Sequence, residues 1–401
     1  MKNFKQYFQS YQLLEERAAN THLTHLEELV LTRGQEGYDQ ARGFLTDLLS
    51  HLQGKSKRKI GTTVKWDGAP AIFCGIHPET KRFFVGTKSI FNREPKINYD
   101  EQDVEINHGH APGLADKLKK ALKYLPGLGI KNIMQGDFMF DSSTIDQEDI
   151  DDVPHFTFTP NTIKYAVEVD SKLGKEIANA VFGIIFHTEY KDLKGGATFG
   201  AKVNRLKKVP GVWFDDAFFK DDTGVVTLTT DEVKQVRDYI KTADSLKVNY
   251  KNIPSDLLNT YLNTEIREGQ FVENPDASYN NFVGWFEQRM AKEIDKRKSK
   301  RGKQSIEESF RVKLANIESE KDNIINLFKV SKLLSQAKQI FVNKYNTAVY
   351  NTKHFVDAGD GSLKVSAPEG YVAVGRDGSA VKLVDRLEFS RANFMKGKPG
   401  S

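Results

Sequence analysis

Only one cysteine, Cys74, stands in 401 residues. That excludes an internal disulfide and any zinc site built from several thiolates. No run of 18 apolar residues occurs, and the opening Met1-Lys2-Asn3-Phe4-Lys5 has no apolar signal core. Neither a membrane helix nor a secretory leader is therefore expected, and the sequence reads as cytoplasmic with no membrane partner. Charge of one sign is not in large excess either: 59 lysines and arginines face 54 aspartates and glutamates, a net of +5. A bias this mild permits a polyanionic partner without requiring one. Internal repeats and low-complexity segments are absent. What is present suffices for a core, with 39% apolar and 11% aromatic residues, and the length allows two domains.

Residues 1 to about 54 carry leucines at helical spacing, among them Leu26, Leu29, Leu45, Leu48 and Leu49. Thr24 and Glu27 have the spacing of a capping box, and Gly34 with Gly37 breaks the run. His22, His25 and His51 are expected to be solvated or capping residues. A basic spacer, Lys55 to Lys59, precedes a change of texture. From Ile60 to about Tyr190 short apolar strands alternate with short helices, predicting an α+β unit with largely antiparallel sheets. Its acidic stretch, with Asp146, Glu148, Asp149, Asp151 and Asp152, reads as a solvated surface or a recruiter of divalent metal. Helical patterns dominate from Thr230, with an N-cap signal at Thr230-Asp231-Glu232 and a long apolar periodicity over Ser305 to Asn346. Strand texture returns at Tyr371 to Val374 and Ala380 to Val384, joined by the turn pair Asp377-Gly378. The helices thus look like an insertion into a sheet domain that the last hairpin completes. The expected boundaries are 1–54 for an N-terminal helical segment, 55–225 with 355–395 for the sheet domain, and 226–354 for the helical insertion.

One stretch organises this pattern: Thr62-Thr63-Val64-Lys65-Trp66-Asp67-Gly68-Ala69-Pro70. A β-branched strand leads into a turn that presents a lysine, and glycine allows the backbone to bend where a side chain would clash. Lys65-Trp66-Asp67-Gly68 resembles the nucleotide-attachment motif of the covalent nucleotidyltransferases, the ATP-dependent DNA and RNA ligases and messenger-RNA capping enzymes. Further motifs follow in the family's order. Thr87-Lys88-Ser89 resembles the ribose-contacting motif, with lysine where the family usually has arginine. Gly136-Asp137-Phe138 resembles the Gly-Glu motif with aspartate for glutamate. Gly183-Ile184-Ile185-Phe186-His187 resembles the aromatic motif whose ring stacks on the purine, with Phe182 as fallback. Glu369-Gly370-Tyr371-Val372 is similar to the Glu-Gly motif. Val381-Lys382-Leu383-Val384 resembles the phosphate-binding Lys-x-Lys motif but keeps only its first lysine, for which Lys364 or Arg386 would compensate.

The resemblance implies a ligase adenylation-domain fold of antiparallel sheets, with N-terminal helices, a large helical insertion and no C-terminal OB-fold. It implies Lys65 as the nucleophile that takes AMP from ATP. The implied nucleotide-binding residues are Thr63, Val64, Asp67, Gly68, Lys88, Asp137, Phe186, Glu369 and Lys382. Glu369 would serve Mg2+, directly or through water, with Mn2+ as a substitute. A free lysine has a pKa of about 10.4, so attack on phosphorus needs a site that favours the neutral amine. The implied activity is ATP-dependent joining of a 5′-phosphate to a 3′-hydroxyl end, RNA slightly ahead of DNA, because the sequence leaves no room for an OB-fold after the last motif and a helical accessory domain is closer to what RNA ligases carry. Alternatives are a non-catalytic nucleic-acid-binding protein on a degenerate ligase fold and a protein or small-molecule adenylyltransferase. The general look is similar to ligase-like proteins of tailed bacteriophages, which would place it in a host cytoplasm. The expected partner is nucleic acid, and a monomer is assumed. Two basic groups are candidates for its phosphates: Arg205, Lys207 and Lys208, and Arg297, Lys298, Lys300 and Arg301 within the run Lys292 to Lys303. A solvated helix end explains the latter run equally well.

Overall fold

Short β-branched and aromatic runs become strands between residues 61 and 216, and the later leucine- and lysine-rich stretches become helices. The computed structural model describes residues 23–53, 61–218, 226–267, 274–347, 353–357, 363–365, 370–375 and 379–384. Residues 1–22, the spacer 55–59, Glu369, the pair Asp377-Gly378 and Arg386 lie outside them.

In chain order, helix α1 (Leu29–Leu52) precedes strands β1 (Gly61–Val64), β2 (Ala71–Ile76) and β3 (Phe83–Gly86). Helices α2 (Glu101–His108) and α3 (Pro112–Tyr124) follow, then β4 (Ile133–Asp141), β5 (Asp146–Ile150), β6 (Val153–Phe158) and β7 (Lys164–Glu168). Helix α4 (Lys172–Ile177) leads to β8 (Phe182–Asp192), β9 (Gly195–Phe199) and β10 (Val212–Asp216). Next come α5 (Thr230–Ser245), α6 (Ser255–Arg267), α7 (Pro275–Asp295), α8 (Lys300–Ser319) and α9 (Lys321–Asn346). Strands β11 (Lys353–Asp357), β12 (Leu363–Val365), β13 (Tyr371–Val374) and β14 (Ala380–Leu383) complete the described chain.

Contacts divide the chain into a unit of residues 1–23, 60–225 and 348–381 and a unit of 24–59, 226–347 and 382–401. The described residues 24–53 group with the later helices. The class is mixed α+β with largely antiparallel sheets.

In the first unit a central sheet runs β10-β8-β4-β2-β3, with β9 also on β8, and only the β8·β10 pairing within it is parallel. A second sheet runs β12-β11-β7-β6-β5, and in a third β1 pairs with β13. Alternation along the central strands sorts side chains to two faces. Ile72, Cys74, Met134, Phe138, Ile184 and Phe186 pack with Leu118 and Ala121 of α3. Ile185 and Met139 pack instead with Phe158, Tyr165 and Val167 of the second sheet. The acidic stretch forms strand β5 and its turn, where Glu148 pairs with Lys164 at 2.5 Å. Among the described residues no cluster of three or more His, Cys, Asp or Glu side chains could hold a metal ion.

In the second unit α9 buries Ile324, Phe328, Leu334, Ala337 and Phe341 at helical spacing. The single helix expected over 305–346 is two, parted at Glu320, which ends α8 and begins α9. Thr229 and Glu232 form the capping box that starts α5, one residue before the expected cap. The box expected at Thr24 and Glu27 does not form. His25 is the backbone N-cap of the short 3-10 turn Leu26–Glu28, makes no side-chain capping bond to it, and is buried, not solvated. Glu27 is buried too, and its carboxylate accepts from Lys338 Nζ at 2.7 Å. The same ammonium donates to the Val384 carbonyl at 2.7 Å. Gly34, at φ +57°, kinks α1 where the sequence suggests a break.

Candidate active site around Lys65

Strand β1 pairs antiparallel with β13 in the register Thr63↔Val372 and Val64↔Tyr371. One step further, the Lys65 amide donates to the Gly370 carbonyl at 2.8 Å. On its other edge the Val64 amide donates to the Ala217 carbonyl at 2.7 Å. Lys65 therefore leaves a strand held on both sides. The lysine motif and the Glu-Gly motif, 305 positions apart in sequence, meet backbone to backbone. Glu369 itself lies outside the described residues.

After Lys65 the chain folds onto β4. The Ala69 amide donates to Phe138 O and the Phe138 amide to Pro70 O, each at 3.1 Å. A Cβ on Gly68 would stand 2.5 Å from Asp137 Cβ and 2.8 Å from Phe138 O. Only glycine lets the loop lie this close, and the approach brings Asp137 beside it. The Asp137 carboxylate stands 3.5 Å from His187 Nε2 on the neighbouring strand. The other ring nitrogen of His187 lies 2.7 Å from Thr188 Oγ1.

Asp67 has another task. Its carboxylate accepts from Asn161 Nδ2 at 2.6 Å, Thr162 N at 2.7 Å, Thr162 Oγ1 at 2.6 Å and Ile163 N at 2.9 Å. Burial alone would raise its pKa, but the bonds from Thr162, Asn161 and Ile163 outweigh that and hold it below the ordinary carboxylate range. Its own amide donates to Tyr165 Oη at 2.7 Å. Asp67, expected to contact the nucleotide, thus anchors the loop to residues 161–163.

The other residues expected at the site lie in varied settings. Phe186 is fully buried, as is Phe182, and both face α3. Neither ring is open to a purine. The residues of β8 on the opposite face are Ile185 and His187. Thr63 and Val64 are buried in β1. Lys88 does not lie on a strand: β3 ends at Gly86, and Thr87 caps a 3-10 turn, Lys88–Phe91, by accepting from Ser89 N at 3.3 Å. Lys382 lies on β14, where its amide donates to Thr24 O at 3.0 Å. The first basic group is largely neutralised: Arg205 pairs with Glu189, and Lys208 with Glu176 at 3.5 Å, while Lys207 is exposed. Arg297, Lys298, Lys300 and Arg301 lie in the helical unit and are exposed.

Beside the motif, Trp66 packs against Tyr165 with ring centroids 5.3 Å apart and forms one wall of a cleft of about 500 Å³. Met139, Ile185 and Trp213 line it together with Lys172 and Asp215. Its volume lies in the range of small-molecule sites.

A family model matches residues 20–398, nearly the whole chain. The chain belongs to DUF6267. That family is one of unknown function. No curated protein and no solved structure matches the chain. The site of this DUF6267 protein also holds residues to which the sequence assigned no role. His187 closes the aromatic motif and faces Asp137, and the anchor Asn161-Thr162-Ile163 carries no local signal at all.

Proposed function

We propose that this DUF6267 protein is an ATP-dependent polynucleotide ligase that works through a lysyl-AMP intermediate on Lys65. The observation that carries the reading is the pairing of Lys65 with Gly370, which joins the nucleophile motif to the Glu-Gly motif across 305 positions. Asp137 beside Gly68 adds a carboxylate to the same loop.

In the first step the neutral Lys65 amine attacks the α-phosphorus of ATP. A P–N bond forms, the bond to the bridging oxygen of pyrophosphate breaks, and the amine proton leaves to solvent. A 5′-phosphate oxygen then attacks the same phosphorus and releases the amine. Finally a 3′-hydroxyl attacks the 5′-phosphorus and AMP departs. A bound magnesium ion would neutralise charge on the triphosphate, and Asp137 would hold its waters or a ribose hydroxyl. RNA ends stand ahead of DNA ends in this reading.

The burial of Phe186 and the turn at Lys88 favour a second reading, a nucleic-acid-binding protein on the same fold without the chemistry. Incubation with α-phosphate-labelled ATP and magnesium, followed by a denaturing gel, separates the two. The ligase reading expects a covalent label on wild type and none on Lys65→Ala. An unlabelled wild type, with GTP and NAD also negative, would favour the binding protein.

A further inference from the structure

The chain's whole excess of positive charge sits in one corner of the helical unit. Between residues 292 and 303 stand seven cations, Lys292, Lys296, Arg297, Lys298, Lys300, Arg301 and Lys303, against two carboxylates, Glu293 and Asp295. The surplus of five equals the net charge of the entire protein, so the other 389 residues are neutral on balance. Helix α7 ends at Asp295 and α8 begins at Lys300, which packs this charge into a four-residue turn and the two helix ends beside it. Six of the seven cations are exposed and Lys303 is half-buried.

The corner is poorly compensated from within. Glu293 takes Lys296 at 2.7 Å. Lys300, Arg301 and Lys303 occupy the first turn of α8, where the helix dipole opposes positive charge instead of offsetting it. Ser299 already caps that helix by accepting from Gly302 N at 3.1 Å. Like charges held this close repel one another in the free protein, and neutralisation by an external polyanion relieves that repulsion. The group around Arg205 differs, because Glu189 and Glu176 neutralise Arg205 and Lys208 on the spot.

We infer that the α7–α8 corner docks the phosphate backbone of a nucleic acid. The choice of nucleic acid among polyanions rests on the ligase reading. An anionic membrane fits less well, since surface-binding helices set large apolar residues beside their cations. Among the described residues the exposed large apolar side chains are Ile106, Val153 and Val312, and none lies in the corner. Because the contacts are to phosphates, docking is sequence-independent and strongly salt-dependent.

The test is fluorescence anisotropy of the full-length protein with a 5′-phosphorylated single-stranded RNA and its DNA counterpart, without ATP, over a salt series. The variant R297Q/K298Q/K300Q/R301Q removes four corner charges. K234Q/R237Q/K241Q/K247Q removes four cations elsewhere in the same unit. For single strands each phosphate contact contributes about 0.7 to the slope of log K against log salt, so the corner variant should lose about 3 from that slope and on the order of 10²-fold in affinity at low salt. The comparison variant should keep nearly the wild-type slope. Equal losses in both variants would mean that net charge alone acts, and would overturn the proposal. So would wild-type RNA and DNA binding by the corner variant, whether or not it loses binding to phosphatidylserine vesicles. Labelling of Lys65 by ATP is read separately on the same proteins, so failure of the catalytic reading and failure of the corner are told apart.

Discussion

Replacing Asp67 separates a nucleotide ligand from a loop anchor. Four donors converge on its carboxylate, three of them on Oδ2. Asp67→Asn can keep an oxygen at Oδ2, and its new NH2 then faces Asn161, whose amide can turn to accept. What is lost is the charge. Hydrogen bonds to an ionised group contribute about 1.5–3 kcal/mol against about 0.5–1.5 for neutral ones, so three bonds weakened together cost about 3–4.5 kcal/mol. Asp67→Ala strands the Thr162 and Ile163 amides in a buried loop and costs more, about 3–6 kcal/mol. Urea unfolding followed by tryptophan fluorescence measures this, since Trp66 and Trp213 report on the sheet unit and Trp285 on the helical one. The pH dependence has a definite sign. A carboxylate whose folded pKa is depressed stabilises fully above its unfolded value, near 3.9, and loses that contribution as pH falls through the lower folded value. The gap between wild type and Asp67→Asn should therefore be flat above about pH 5 and close below about pH 4. An Asp67→Asn protein as stable as wild type but unable to take a nucleotide would refute the anchor and restore the ligand role.

Gly68→Ala should fold yet lose about 10²-fold in labelling rate, because its Cβ would meet Asp137 Cβ at 2.5 Å and must displace the loop; a gel time course checks it. Lys338→Met should cost the helical unit about 3–5 kcal/mol by leaving Glu27 charged in the core, and adding Glu27→Gln should recover part of it in urea unfolding. Cys74 is fully buried and desolvation pushes its thiol pKa up, so a thiol reagent should modify no native protein and one group per chain in denaturant.

The return of strand texture near the C-terminus made it legible that these late strands complete the sheet domain, and β13 does pair with β1 beside Lys65. The sequence did not carry the facing of β8. Phe182 to Phe186 is apolar on both faces, so no polar alternation marks which ring points to a ligand and which to α3. Local patterns also hide distant partners. Glu27 has the spacing of a cap, but its partner is 311 residues away, and Asp67 reads as part of a motif while its partners lie at 161–163. Strand β3 stops before Lys88 because Thr87 caps a turn, a use of threonine that β-propensity alone does not distinguish from a strand.

The proposal stands or falls on whether Lys65 becomes covalently adenylylated. Intact-mass measurement after incubation with ATP and magnesium, followed by peptide mapping, tests it without any assumption about the nucleic acid. The expected result is a gain of one adenylate per chain, mapped to Lys65 and absent from a folded Lys65→Ala. An adenylate on another residue, or an equal gain in the variant, would contradict it.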